Sequence, residues 1–156
     1  MKPIHDQSGV HSVSPHLVCA DAAAAIEFYK RAFDAVEMLR LPAHDGKLLH
    51  ACVSINGSSV MLIDENPQYE ILGPARLGAT PVTIHLNVTD VDAAVTQAVA
   101  AGAKIVMPVA EMFWGDRYGV IEDPFGHRWS IATPQKTVTV AEMQDAAKHA
   151  FGMTNG

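Results

Sequence analysis

Two segments of this chain repeat one pattern 69 residues apart, His16-Leu17-Val18-Cys19-Ala20-Asp21 against His85-Leu86-Asn87-Val88-Thr89-Asp90. In each copy a histidine lies in an apolar strand-like run, and five residues later an aspartate opens a helical run. Identity is low, so the pattern carries the inference. A duplicated unit must bury its two hydrophobic faces together.

The elements around the two copies read alike. Val13–Ala20 predicts a strand. Asp21 is a good N-cap, and Ala22–Phe33 places Ile26, Tyr29 and Phe33 at helical spacing. Strands are predicted at Ala35–Leu41, Leu48–Ile55 and Ser59–Ile63. The turn His44-Asp45-Gly46-Lys47 and the hairpin pair Asn56-Gly57 separate them. A second pass gives a strand at Val82–Val88, a helix from Asp90 to Ala101 ended by Gly102, and strands at Lys104–Val109, Phe113–Glu122 and Arg128–Thr133. Each pass is βαβββ.

The chain therefore divides into a loose arm (1–11), a first module (12–64), a linker or lid rich in Pro and Gly (65–81), a second module (82–134) and a tail (135–156). In the tail, Thr139 and Glu142 make a capping box. Val140, Met143, Ala147 and Phe151 form an apolar stripe that Gly152 ends. The fold class is α+β: two tandem modules forming a curved sheet around a cavity, plus a C-terminal helix. Alternation puts Ser14, His16 and Val18 on one face of the first strand, and Thr83, His85 and Asn87 on the equivalent face of the fifth. The two histidines are expected to approach one space, either as ligands or as filling of a polar seam.

The chain carries 11 basic and 17 acidic residues, a net charge of −6, which argues against nucleic acid as a partner. No apolar run reaches membrane-spanning length, and the first residues lack a signal-like block, so a cytoplasmic protein is expected. Cys19 and Cys52 lie in apolar runs and read as buried thiols. No nucleophile elbow, phosphate loop or Ser-His-Asp signature is present.

Three stretches resemble the vicinal oxygen chelate proteins, the glyoxalase/bleomycin-resistance/dioxygenase-like superfamily. They are His16–Phe33, the hairpin His50–Asp64, and the closing run Trp114-Gly115-Asp116-Arg117-Tyr118-Gly119 through Asp123-Pro124-Phe125-Gly126-His127-Arg128-Trp129. The last two are similar to the PhnB-like branch. The resemblance spans residues 12–134. It implies a homodimer, and in many members a divalent metal held by side chains of the first and fourth strands of each module. By register those positions are Ser14, Met61, Thr83 and Ser130. A hydroxyl suits a borderline cation poorly and a thioether favours soft ions, so no cofactor is expected. A register two residues off would put His16 and His85 at the metal instead.

Metal-free relatives suggest a small, flat, aromatic ligand. Phe113, Trp114, Tyr118 and Trp129 could stack on one. Trp129 is expected in the core and Trp114 at the pocket mouth. Arg117 could hold an anionic group, or could pair with Asp116, Glu122 or Asp123. Glu111 and Glu122 are possible bases. His127 reads as a turn residue, and the face of His50 is open.

Three functions follow. One is a metal-free protein that binds a small molecule through Ser14, His16, Met61, Thr83, His85, Trp114, Arg117 and Ser130. Another is a metal-dependent lyase, isomerase or dioxygenase using His16 and His85. The third is an interaction module acting through the C-terminal helix. The residues leave open whether any reaction is catalysed.

Overall fold

The computed structural model describes residues 10–150. Most of the predicted arm, with Phe151 and Gly152 of the predicted tail stripe, lies outside that range. The first module runs β1 (His16–Cys19), α1 (Ala22–Phe33), β2 (Val36–Pro42), β3 (Leu48–Ile55) and β4 (Ser58–Asp64). A 3₁₀ turn (Pro67–Tyr69) and a short helix, α2 (Pro74–Leu77), follow. The second module is β5 (Thr83–Asn87), α3 (Val91–Ala101), β6 (Lys104–Glu111), β7 (Asp116–Glu122) and β8 (Arg128–Pro134). Helix α4 (Val140–Ala150) closes the chain.

The strands form two four-stranded sheets ordered β1-β4-β3-β2 and β5-β8-β7-β6. The sequence suggested antiparallel units; each sheet is mixed. A strand that returns through a crossover helix arrives parallel, and β1 with β4 and β5 with β8 are the parallel pairs. The edge strands are β1 and β2 in the first sheet and β5 and β6 in the second.

The repeat holds residue by residue. His16 lies beside Met61 and His85 beside Ser130, both partners being 69 apart as well. Asp21 caps α1 by accepting from Ala24 N at 2.9 Å, and Asp90 caps α3 by accepting from Ala93 N at 3.0 Å. One equivalent pair differs in chemistry. Asp64 Oδ1 accepts from Ala22 N at 2.8 Å, whereas Thr133 Oγ1 accepts from Val91 N at 2.9 Å. Either side chain satisfies one of the unpaired amides that open a helix.

Two predicted strand starts moved by three residues. β1 begins at His16 because Pro15 has no N–H to give the ladder; its carbonyl accepts from Met61 N at 2.9 Å. β7 begins at Asp116 because residues 112–115 turn instead, Gly115 N donating to Met112 O with φ at +100° at the glycine. The linker holds two short helical turns, each begun by a proline whose fixed φ suits a first helical position.

The core lies between the helices and one face of each sheet. Trp129, Tyr29, Phe28, Ile26 and Ile55 are its largest buried side chains. Each apolar one of that size contributes ~1.5–3 kcal/mol. Helix α1 packs on α3 and so joins the modules.

A buried carboxylate locks that junction. Asp123 Oδ2 accepts from Tyr29 Oη at 2.5 Å and Trp129 Nε1 at 3.0 Å, and Oδ1 accepts from Phe125 N at 2.9 Å and His127 N at 3.0 Å. Tyr29 comes from the first module and Asp123 from the second. Burial, then Asp123 beside it, raises the Tyr29 phenol well above its ordinary pKa. His127 adds a second tie, its Nε2–H donating to Val18 O at 2.9 Å.

Candidate functional site

Strand alternation gives each sheet an inner face beneath the helices and an open face away from them. In the first sheet the open face carries His16 and Val18 from β1, Met61 and Ile63 from β4, and His50 and Cys52 from β3. In the second it carries Thr83, His85 and Asn87 from β5, Ser130 and Ala132 from β8, and Tyr118 and Val120 from β7. The inner faces hold buried Leu17, Cys19, Val53 and Leu62 in one sheet and Trp129, Ile131 and Ile121 in the other.

The edge strands β1 and β5 flank a cleft of about 700 Å³. Its walls carry Ser14, His16, Thr83 and His85, with Leu72, Pro74 and Leu77 of the linker along one side. Four of the residues singled out from the sequence thus share one space. Met61 and Ser130 lie one strand inward, beside His16 and His85.

The second open face is a connected platform. Asn87 Oδ1 accepts from His85 Nε2–H at 3.2 Å. That fixes the tautomer, so Nδ1 accepts from the Ser130 hydroxyl at 2.8 Å. Tyr118 stacks near His85, ring centres 6.3 Å apart and planes 18° from parallel. Trp114 meets Tyr118 edge-on at 5.4 Å, and Phe113 meets Trp114 at 5.0 Å. Trp114 Nε1 donates to Asp116 Oδ2 at 3.0 Å. The loop beneath is clamped, because Gly115 O accepts from both Gln135 N and Lys136 N at 3.0 Å. A Cβ at Gly115 would collide with Lys136 O, so glycine is required there.

Arg117 is not on this face. It neighbours Tyr118 in β7, so alternation sends it to the helix side. There its Nε and Nη2 grip Asp92 of α3 at 2.6 and 2.8 Å. It pairs with an acid, as one reading of the sequence held, but with one 25 residues away rather than in the adjacent turn. His127 and Trp129 belong to the module junction. Tyr118, one of the aromatics named from the sequence as able to stack on a ligand, takes its place on this platform.

Ser14 has another role as well. It joins His11 and buried Ser59 in a hydrogen-bonded group in which His11 N donates to Ser59 Oγ at 2.8 Å and Ser59 N donates to His11 Nδ1 at 3.2 Å. This group pins residues 11–14 to β4. His11 was not anticipated, and nothing in its sequence surroundings announces the contact.

A divalent metal does not fit these residues. Such an ion takes three or four imidazole, thiolate or carboxylate donors. The places beside His16 and His85 hold a thioether and a hydroxyl, and both nitrogens of His85 are already bonded. No group of three or more His, Cys, Asp or Glu converges among the described residues. Burial pushes the Cys19 thiol up, and Asp123, Asp64, Asp21 and Glu65 add to it. That thiol is inert at neutral pH.

The family model of the Glyoxalase/Bleomycin resistance protein/Dioxygenase superfamily matches residues 9–131. The uncharacterized protein Mb0911c of Mycobacterium bovis is 54% identical over 138 residues, covering 86% of this chain and 91% of that one. The structure of the Arabidopsis thaliana gene product At5g48480 is 31% identical with a TM-score of 0.63, covering 78% and 97%. TioX from Micromonospora sp. ML1 is 29% identical with a TM-score of 0.62, covering 79% and 99%. The PhnB protein from Bacillus cereus shares the fold, with a TM-score of 0.63 at 18% identity over 79% of this chain and 99% of that one.

Proposed function

This chain belongs to the Glyoxalase/Bleomycin resistance protein/Dioxygenase superfamily, and on that premise we propose that it is a homodimeric protein that binds a small aromatic molecule without a divalent metal. The observation that carries the reading is the second open face, where His85, Ser130, Tyr118 and Trp114 are held in one contact chain. Each aromatic face offers a planar ligand ~0.5–1.5 kcal/mol beyond its area. The oxygen of Ser130, whose proton goes to His85, keeps a lone pair that could accept from a ligand. The cleft beside them is large enough for a drug-sized compound.

Support for self-association comes from exposed apolar side chains on both sheets: Val36 and Leu41 of β2, Leu49 of β3, and Ile105 and Val106 of β6. Exposed apolar surface can mark a face that another chain covers. The reading places the protein in the cytoplasm, where two buried, unbridged thiols stay reduced. No helix of the described residues is long and apolar enough to cross a membrane.

Native mass spectrometry of the untagged protein tests both parts. The expected result is a dimer carrying a small organic adduct, with no stoichiometric divalent metal by elemental analysis. Tightly held zinc, nickel, manganese or iron at one per chain would reject the metal-free reading.

One observation favours a second role. Helix α4 buries none of its residues and packs against no other element of the described chain. An isolated helix of 11 residues is marginal in water, so a protein partner for its apolar stripe would stabilise it. Deleting residues 135–156 and measuring the oligomeric state by sedimentation decides whether that partner is a second copy. An unchanged dimer removes α4 from the dimer contact.

A further inference from the structure

We propose that the groove between the end of α1 and the start of α3 binds a linear aliphatic diamine, with one ammonium group at each of two separated aspartates, Asp34 and Asp90. The groove holds about 560 Å³ and shares no lining residue with the cleft between β1 and β5. The inference therefore stands whether or not the small-molecule reading does.

Two bonds across the module boundary build the groove. Asn56, in the turn between β3 and β4, donates Nδ2–H to Asn87 O at the end of β5, at 2.8 Å. Gln97 of α3 donates Nε2–H to Arg31 O at 2.9 Å and to Asp34 Oδ1 at 3.1 Å, at the end of α1. Both amides spend their NH₂ groups on the opposite module, so their oxygens are left to accept. Asp90 gives Oδ1 to Ala93 N at 3.0 Å and keeps Oδ2. No residue lining the groove is Lys, Arg or His. Neither aspartate forms an ion pair among the described residues. Lys30 is committed to Glu27 and Glu37, and Arg117, which feels the charge of Asp90, grips Asp92. The groove thus offers mainly acceptors and negative charge.

The two carboxylates do not converge on one point. Asp90 opens α3, and Gln97, which holds Asp34, lies about two turns on, roughly 10 Å along the helix axis. That separation is too wide for one small ion and suits a cation with two heads. Between the ends α3 presents Ala93 and Ala94, with half-buried Phe33 and Val88 alongside. Apolar surface of that kind favours a methylene chain. The ends differ in strength. Asp34 is the C-cap of α1, with φ at 52°, at the negative end of that helix, where a cation is favoured. Asp90 is the N-cap of α3, whose positive end opposes one.

The test is calorimetric titration of the full chain at low salt with putrescine, octamethylenediamine and dodecamethylenediamine, with octylamine as the one-headed control. Octamethylenediamine should bind tightest, because putrescine is too short to reach both ends and the longest chain overshoots them. Asp34→Asn should weaken its binding ~10-fold and Asp90→Asn ~3-fold. Asparagine caps a helix and takes the left-handed conformation as aspartate does, so both variants should keep the circular dichroism of wild type. Amide NMR shifts of wild type on titration should centre on Asp34, Asn56 and Asp90, a reading that needs no variant. Equal affinity for octylamine, affinity that climbs steadily with chain length, an equal loss in the exposed control Glu70→Gln, shifts that miss the groove, or a dissociation constant above ~1 mM would each overturn the proposal.

Discussion

Replacing Asp123 by asparagine tests the module junction at a single oxygen. All four partners of the carboxylate donate to it: Tyr29 Oη and Trp129 Nε1 at one oxygen, and the amides of Phe125 and His127 at the other. An amide fits neither way round. With its NH₂ toward the backbone it faces two N–H groups that cannot turn away. With its NH₂ toward the rings, Tyr29 can rotate to accept, but the indole N–H cannot. The substitution therefore loses charge-assisted bonds worth ~1.5–3 kcal/mol each and strands a buried donor at ~1–3 kcal/mol. The expected cost is ~3–5 kcal/mol, a large share of a stability of ~5–15 kcal/mol for a domain. Tyr29→Phe removes one bond and leaves three, so ~1.5–3 kcal/mol is expected. Urea unfolding followed by tryptophan fluorescence reads both, because Trp129 lies against Tyr29 and Phe33. With a slope of ~1–3 kcal/mol per molar urea, Tyr29→Phe should lower the midpoint by ~1 M and Asp123→Asn by more. Equal midpoints for Asp123→Asn and wild type would refute the view that this carboxylate locks the modules.

Other outcomes follow from the same contacts. Tyr118→Leu should weaken binding of a planar aromatic dye ~10-fold, read by quenching of Trp114, and Ser130→Ala should weaken it less. Arg117→Ala should leave dye binding unchanged, since its guanidinium sits on the helix side with Asp92; a tenfold loss would return it to the site. Gly115→Ala should lower thermal stability and shift tryptophan emission, because φ is +100° and Lys136 O blocks the new Cβ. Glu37 is held down to about 2 by hydrogen bonds from Arg40 first and then Lys30. A lowered carboxylate pKa stabilises above the unfolded value near 4.5 and loses that contribution as pH falls toward about 2. The gap in urea midpoint between wild type and Glu37→Gln should therefore close across that window, and salt should narrow it at pH 7.

Much of the architecture was legible because it rests on local chemistry. Asp21 and Asp90 announce helix starts, Gly102 a helix end, and Asn56-Gly57 a hairpin whose two residues both take positive φ. The 69-residue offset carried the topology. The site was read in part. His16, His85, Ser14 and Thr83 share a cleft because strand alternation is a short-range rule. Arg117 was read from its neighbours in the chain rather than from strand alternation, so its partner Asp92, 25 residues away on α3, was not named. The bond from Tyr29 to Asp123 spans 94 residues, and the contact of His50 with His16 joins strands that are not neighbours in the sheet. No local pattern encodes either.

The clamp on Gly115 ties the chain's tail to its indole. The first two residues beyond β8 hang from the carbonyl that shapes the Trp114 loop. Load applied at α4 thus passes through Gln135 and Lys136 into the peptide that aims Trp114. Whatever grips the tail has a handle on that ring, and its emission would report the grip.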